Sequence, residues 1–227
     1  MRMKTAKSKA TPRPEGASNA FDRDTQYELR RKAILKEAGK AFEEHGAQGV
    51  SMTGLATRLS ITTPALYYYF KSKQEMLYEC YKISLDIGEQ ALETAYAEGG
   101  NAARILQNFI RHYMVVGLVE IRPTMALRDH ISLTPDFHNQ ILAKRDALHN
   151  KLRNLVSRGL EDGSIAPCNP KLVVLTITGV VALVLRAYDP RGELSLEQIT
   201  CQTVQLLTSG FIGDINGAGF TGGSAPR

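Results

Sequence analysis

Residues 51–73, SMTGLATRLSITTPALYYYFKSK, have room for only two short helices, and this constrains the chain on either side. Leu55, Ala56 and Leu59 form an apolar stripe at helical spacing, and Thr53 offers a cap at the N-terminus. Ser60, Ile61 and Thr62 suffice only for a tight turn. Thr62 or Thr63 then caps a second helix with Pro64 in its first turn, where the missing N–H costs nothing. Ala65, Leu66, Tyr69 and Phe70 can turn inward, leaving Thr63, Tyr67 and Tyr68 on other faces. Three successive tyrosines cannot all face one core, so at least one is exposed. Two such helices around a tight turn make a helix-turn-helix, whose second helix has the size to enter a DNA major groove.

The polar residues of this stretch suit a polyanion. Thr53 and Thr63 lie near helix N-termini, Tyr67 and Tyr68 carry hydroxyls that reach phosphate oxygens, and Lys71 and Lys73 add two charges. Charge is segregated in the same sense. Residues 1–73 carry 14 Lys and Arg against 7 Asp and Glu, whereas residues 74–227 carry 14 against 16. A positive end on a mildly acidic remainder is an electrostatic footprint for nucleic acid.

Residues 1–25 are rich in Lys, Arg, Ser, Thr, Pro and Gly, and read as a disordered basic arm. Arg2, Lys4, Lys7, Lys9 and Arg13 either follow the DNA phosphates or merely solubilise the chain. Residues 27–45 have helical apolar spacing and stop at Gly46, so residues 26–73 form a three-helix DNA-binding domain. Ser72 and Glu75 make a capping box that opens a long helix from Lys73 to the Gly99–Gly100 pair. Helices are expected over residues 101–119, around 125–130, and from Pro135 to Gly163. No strand alternation occurs, and the chain reads all-α: an N-terminal helix-turn-helix domain joined to a larger helical ligand-binding and dimerisation domain over residues 74–211. Residues 212–227 read as a flexible tail.

Asn169–Pro170 opens a helix that is apolar on nearly every face, and a small bundle has no room to bury all of them. A second copy of the chain supplies the missing cover, with a last helix capped by Ser195 and Gln198 completing a two-fold interface. The apolar run over residues 172–185 is too short to cross a bilayer, and no secretory signal opens the chain. Cys80, Cys168 and Cys201 are odd in number and widely spaced, which fits a reducing cytoplasm. No CxxC or other metal spacing and no Gly-rich phosphate loop occurs, so no metal or cofactor is expected. Asp86, Glu89, Glu93 and His138 lack a spacing that demands acid–base work, which argues against an all-helical enzyme.

The run LSITTPALYYYFKSK, with Leu66, Tyr67, Phe70 and Lys73 in a Leu-Tyr-x-x-Phe-x-x-Lys pattern, resembles the helix-turn-helix of the TetR family of transcriptional regulators. Ser60 stands where that family often has a turn glycine, and Ala65 where a hydroxyl is common. The resemblance implies a repressor that binds an inverted-repeat operator in double-stranded DNA as a homodimer and is released by a small-molecule effector. It puts Thr53, Thr62, Thr63, Pro64 and Ala65 at the DNA, together with Tyr67, Tyr68, Lys71 and Lys73.

Residues 126–129, 144–148, 159–163 and 186–195 also resemble the ligand domains of family members that answer to acyl-CoA thioesters in fatty-acid or sterol breakdown. A multidrug-efflux repressor that answers to lipophilic compounds is the alternative. For either effector, Phe109, Tyr113, Met125 and Leu183 are candidate apolar lining, and Arg128 and Arg186 are candidate anchors for an anionic head. Arg111 and His130 are further polar candidates.

Overall fold

The computed structural model describes residues 15–119 and 132–209, and among these it contains eight helices and no strand. The first, α1, runs Glu15–Gly49 and is broken by the left-handed Gly46 (φ 68°), the stop expected from the sequence. Residues 15–25 are helical, which corrects the expectation of a disordered arm over that part. Adding a residue to an existing helix costs far less than nucleating one, so weak helix formers are carried along. Residues 1–14 and the expected tail over 212–227 lie outside the described residues. The chain up to Ile34 forms one compact unit, and Leu35 onward forms another.

Within the second unit, α2 (Met52–Arg58) and α3 (Thr63–Tyr69) form the helix-turn-helix. Ser51, not Thr53, caps α2 by accepting the Gly54 N–H at 3.0 Å. Met52 is buried and is the first residue of the helix, which places the cap two residues earlier. The end of α2 is a Schellman closure, with Ile61 N–H donating to the Ala56 carbonyl and Ser60 N–H to that of Thr57. Ser60 takes the left-handed conformation this closure requires (φ 54°), so it occupies a position that favours glycine.

The chain then enters α4 (Lys73–Glu98), α5 (Ala102–Val119), α6 (Pro135–Glu161), α7 (Pro170–Ala187) and α8 (Leu196–Ser209). Ser72 Oγ accepts the Glu75 N–H at 3.1 Å, while the Glu75 carboxylate reaches the Lys71 N–H at 2.7 Å. The expected capping box is thus present with its return bond moved one residue upstream. Leu92, Ala95, Leu106, Phe109, Met114, Leu152, Leu155, Val174, Ile177 and Leu207 belong to one core drawn from all five of these helices. The expected short helix around residues 125–130 lies outside the described residues.

The end of α6 and the turn after it, residues 159–165, explain part of the sequence pattern in packing terms. Gly159 lets the Ile165 side chain lie against α6, and Asp162 and Ser164 accept the Ala102 and Ala103 N–H groups at the open N-terminus of α5. Across the helices, Lys144 on α6 donates to Asp86 at 2.7 Å and to Glu89 at 2.9 Å on α4. The hydrogen bond from Lys144 holds the Glu89 carboxyl below the usual carboxylate range. A further turn at residues 189–192 is closed by the Asp189 carboxylate on the Arg191 N–H (2.9 Å) and the Asp189 carbonyl on the Gly192 N–H (2.9 Å).

A Cβ added at Gly159 would lie 2.5 Å from Ile165 Cδ1 and 3.0 Å from its Cβ. Gly159→Ala is therefore expected to lower stability by about 1–3 kcal/mol. Urea denaturation checks this, and Ile165→Val in the same chain should restore part of the loss by removing Cδ1.

Candidate nucleic-acid interface and effector region

The helix-turn-helix is held by contacts that the short helices could not supply alone. Arg58 at the end of α2 donates to both carboxylate oxygens of Glu44 on α1, at 2.6 and 3.0 Å, with Glu37 also within 3.7 Å. This forked hydrogen bond lowers the Glu44 pKa and raises that of Arg58. The Arg58 charge is spent inside the domain. Sequence reasoning missed it, because the partners lie 14 residues apart on different helices.

On α3, Leu66 and Phe70 are fully buried, while Pro64, Tyr67 and Tyr68 are exposed. These three sit at i, i+3 and i+4 and therefore share one face, with exposed Lys71 just beyond the helix end. Tyr68 is 72% exposed and meets the Tyr69 ring edge-on at 5.1 Å, so the phenol stands out from the helix. Thr62 caps α3 by accepting the Ala65 N–H at 3.2 Å, while Thr63 and Ala65 are half-buried at its start. Thr53 is exposed in the first turn of α2.

Lys73 differs from the expectation. Its Nζ is half-buried and donates to the Ala47 carbonyl at 2.8 Å, tying the start of α4 to the end of α1. The side chain binds a backbone acceptor just after the Gly46 break, which gives it a structural task that spacing did not reveal.

The junction between α4 and the rest is equally specific. The Gln74 amide donates to the Ser132 carbonyl at 2.8 Å and accepts the Thr134 N–H at 3.0 Å. One turn on, Tyr78 stacks on Phe137 at 4.6 Å and donates to Gln140 Oε1 at 3.0 Å. The first two turns of α4 thus hold both the segment that enters α6 and the start of α6. These residues too were missed, since an amide and a phenol on a helix carry no signal until their partners fold against them.

The expected effector residues separate. Phe109 is buried and stacks on Tyr113 at 5.8 Å; burial pushes the Tyr113 phenol up to about 12. Tyr113 lies beside Gly88 of α4, where Leu148 of α6 also approaches. Arg186 is half-buried in the last turn of α7. Leu183 is 53% exposed, so it lines no interior cavity and belongs to the outward face of α7. The reason is helical phase: Val173, Val174, Ile177, Val181 and Leu185 take the inward positions. Met125, Arg128 and His130 lie outside the described residues. Arg111 donates to Glu98 at 3.0 Å and to Asn108 at 3.1 Å, and it lines a surface cavity of about 640 Å³ between α5 and α8.

The apolar run over residues 172–185 is extended at both ends, so that helix α7, with 18 residues, is long and apolar enough to cross a membrane by length and composition alone. Only 28% of it is buried within the protomer.

A capped helix-turn-helix with an exposed aromatic and basic face, continuous with an all-helical second part, defines a DNA-binding transcriptional regulator. The chain matches "Bacterial regulatory proteins, tetR family" over residues 34–80 and "Tetracyclin repressor-like, C-terminal domain" over residues 99–211. It belongs to the TetR family of transcriptional regulators, and its family role is regulation and not enzymatic catalysis. It is 28% identical over 202 residues to the HTH-type transcriptional repressor KstR2 of Mycolicibacterium smegmatis, covering 84% of this chain and 95% of that one. The structure of ketosteroid transcriptional regulator KstR2 of Mycobacterium tuberculosis has the same fold, with a TM-score of 0.73, 21% identity, and 82% and 96% of the two chains covered. So does AibR in complex with isovaleryl coenzyme A and operator DNA, with a TM-score of 0.67, 23% identity, and 78% and 97% covered.

The geometry separates two lysines that the sequence treats alike. Lys71→Ala is expected to weaken binding equally on specific and random duplexes and to lower the salt slope by about one counterion per subunit, with the melting temperature unchanged. Lys73→Ala is expected to lower the melting temperature, because it removes the hydrogen bond that ties the start of α4 to the Ala47 carbonyl. Fluorescence anisotropy across a salt series, paired with thermal melts, checks both.

Proposed function

We propose that this TetR-family chain is a ligand-responsive repressor that binds an inverted-repeat operator as a homodimer and is released by an acyl-CoA thioester. The observation that carries the coupling is the junction at Gln74. Helix α4 is unbroken from the Ser72 cap to Glu98, and its first turn grips residues 132 and 134 through one amide side chain. A ligand that favours one placement of α6 therefore biases α4, and α4 carries the helix-turn-helix with it. The ligand acts through its differential affinity for the two arrangements, and a coupling of about 1–3 kcal/mol changes operator affinity roughly 5- to 150-fold.

Homodimerisation is supported by the outward apolar side chains of the last two helices. Leu172, Leu175 and Leu183 of α7 and Leu206 of α8 are each more than half exposed in the protomer, at 64, 51, 53 and 77%. A two-fold copy covers them, sets the spacing of the two α3 helices and makes the operator palindromic. The exposed face of Pro64, Tyr67 and Tyr68, with Lys71, Thr53 and Thr63 beside it, is the DNA-contacting surface in this reading. The acyl-CoA class draws support from AibR, whose structure holds isovaleryl coenzyme A and operator DNA, and the repressor sense from the KstR2 relatives. Phe109, Tyr113 and Arg186, with Met125 and Arg128, are the residues proposed for the effector. The protein acts in the cytoplasm in this reading, with α7 covered by its partner and not by lipid.

Leu175→Glu or Leu183→Glu is expected to give a monomer by sedimentation and to abolish operator binding together; a dimer that still binds DNA would remove these residues from the interface. The effector assignment is checked by anisotropy of a labelled operator from the chain's own upstream region. Acyl-CoA thioesters are expected to release it, free CoA is not, and Arg186→Ala should blunt the release without changing DNA affinity. Release by lipophilic cations alone would indicate an efflux regulator instead.

A further inference from the structure

Tyr113 is held more tightly than its place in the core requires. Its ring stacks on Phe109, one turn back on α5, with centroids 5.8 Å apart and planes 9° from parallel. The Cδ2–Cε2 edge of the same ring lies over Gly88 of α4, with Cε2 3.6 Å from where a Cβ there would stand. Leu148 of α6 closes on that glycine from the other helix, with Cδ2 2.7 Å from the same point. A ring fixed by one face and one edge has its hydroxyl aimed in one direction, so the phenol is a positioned group.

That hydroxyl is enclosed and yet open. Burial alone pushes the phenol up to about 12, as for a group cut off from bulk water. Phe109, Met114 and Leu148 beside it are closed over, whereas Tyr113 keeps accessible surface. Its hydroxyl pairs with no described residue, and unlike the hydroxyl of Thr200 it is not sealed from water-sized molecules. A side chain enclosed by protein that still keeps such surface faces a void inside the helical domain, here where α4, α5 and α6 meet. The neighbours decide what suits that void. Phe109 and Leu148 are apolar, and Lys144, one turn from Leu148, is taken up by Asp86 and Glu89. A carboxylate beside the phenol would lose its water with no cation among these neighbours to replace it. A neutral carbonyl oxygen accepts the phenol O–H at far smaller cost.

We infer that the Tyr113 hydroxyl is a specificity-determining hydrogen-bond donor of the effector site, pairing with an uncharged carbonyl oxygen set in an otherwise apolar part of the ligand. On the acyl-CoA reading, on which this identification of the ligand rests, that oxygen is the thioester carbonyl at the junction of the acyl chain and the pantetheine arm. Free CoA lacks that oxygen, so the phenol distinguishes the acylated carrier from the free one. The donor role itself applies equally to a ketone or an ester.

The experiment is calorimetric titration of the intact protein with octanoyl-CoA and with S-octyl-CoA, the thioether in which a methylene replaces the carbonyl. The thioester is expected to bind roughly tenfold more tightly. Tyr113→Phe, which keeps the ring and its stack on Phe109, should bring the two affinities together by weakening the thioester; a purely structural Tyr113 would weaken both alike. A second set free of CoA consists of 2-octanone, 2-methyl-1-octene, in which a methylene group replaces the ketone oxygen, and octanoate, with the ketone expected to bind best. Equal affinities of oxygen-bearing and oxygen-free partners, a preference that survives Tyr113→Phe, octanoate binding as tightly as the ketone, or no binding of any probe overturns the donor role. Failure of both CoA derivatives to bind, with a Tyr113-dependent preference for the ketone, would keep the donor role and remove the acyl-CoA reading. Operator release by octanoyl-CoA and S-octyl-CoA at equal concentrations would do the reverse.

Discussion

The structure depends on how α4 begins. Ser72 caps it, Glu75 reaches back to the Lys71 backbone, and Lys73 binds the carbonyl of Ala47. Each bond is worth only about 0.5–3 kcal/mol net, yet together they set the direction in which a 26-residue helix leaves the helix-turn-helix. A flexible joint there would let the two parts move independently. With the joint closed, a displacement anywhere along α4 reaches the α3 surface.

The same helix is gripped from its other side. Gln74 and Tyr78 hold the approach to α6 and its start, and Lys144 and Lys151 on α6 reach Glu89 farther along α4. The charged contacts are partly exposed and individually weak. Their value is registry, because they fix α6 against α4 at two places about three turns apart along α4. Between those places Gly88 allows Leu148 and Tyr113 to approach closely, so the helices are kept at short distance by the lack of a side chain. In the proposed mechanism this is the part of the protein through which a ligand in the helical domain acts on DNA binding.

The apolar helix α7 illustrates how the setting of a helix decides its meaning. By composition alone it passes for a membrane span, and within one protomer most of it is not buried. In the proposed homodimer the same surface has a different cover, a second copy of the chain. The hydrophobic effect is indifferent to which apolar surface provides the cover. The rest of the fold selects the partner.

Much was legible in the sequence because it is written in local chemistry. The caps at Ser72, Asn169 and Ser195, the stops at Gly46 and Gly99, and the inward phase of Leu66 and Phe70 each depend on residues within one or two turns. For the same reason one exposed tyrosine among three could be deduced, and the structure exposes Tyr67 and Tyr68. What tertiary structure alone decided involves partners far apart in the chain. Lys73 turned from a surface charge into a clip on Ala47, Arg58 was taken up by Glu44, Leu183 faced outward, and the Thr200 hydroxyl was buried beside a cavity. Helical periodicity specifies which residues share a face, but only packing against other helices decides which face is inward and which polar groups find partners there.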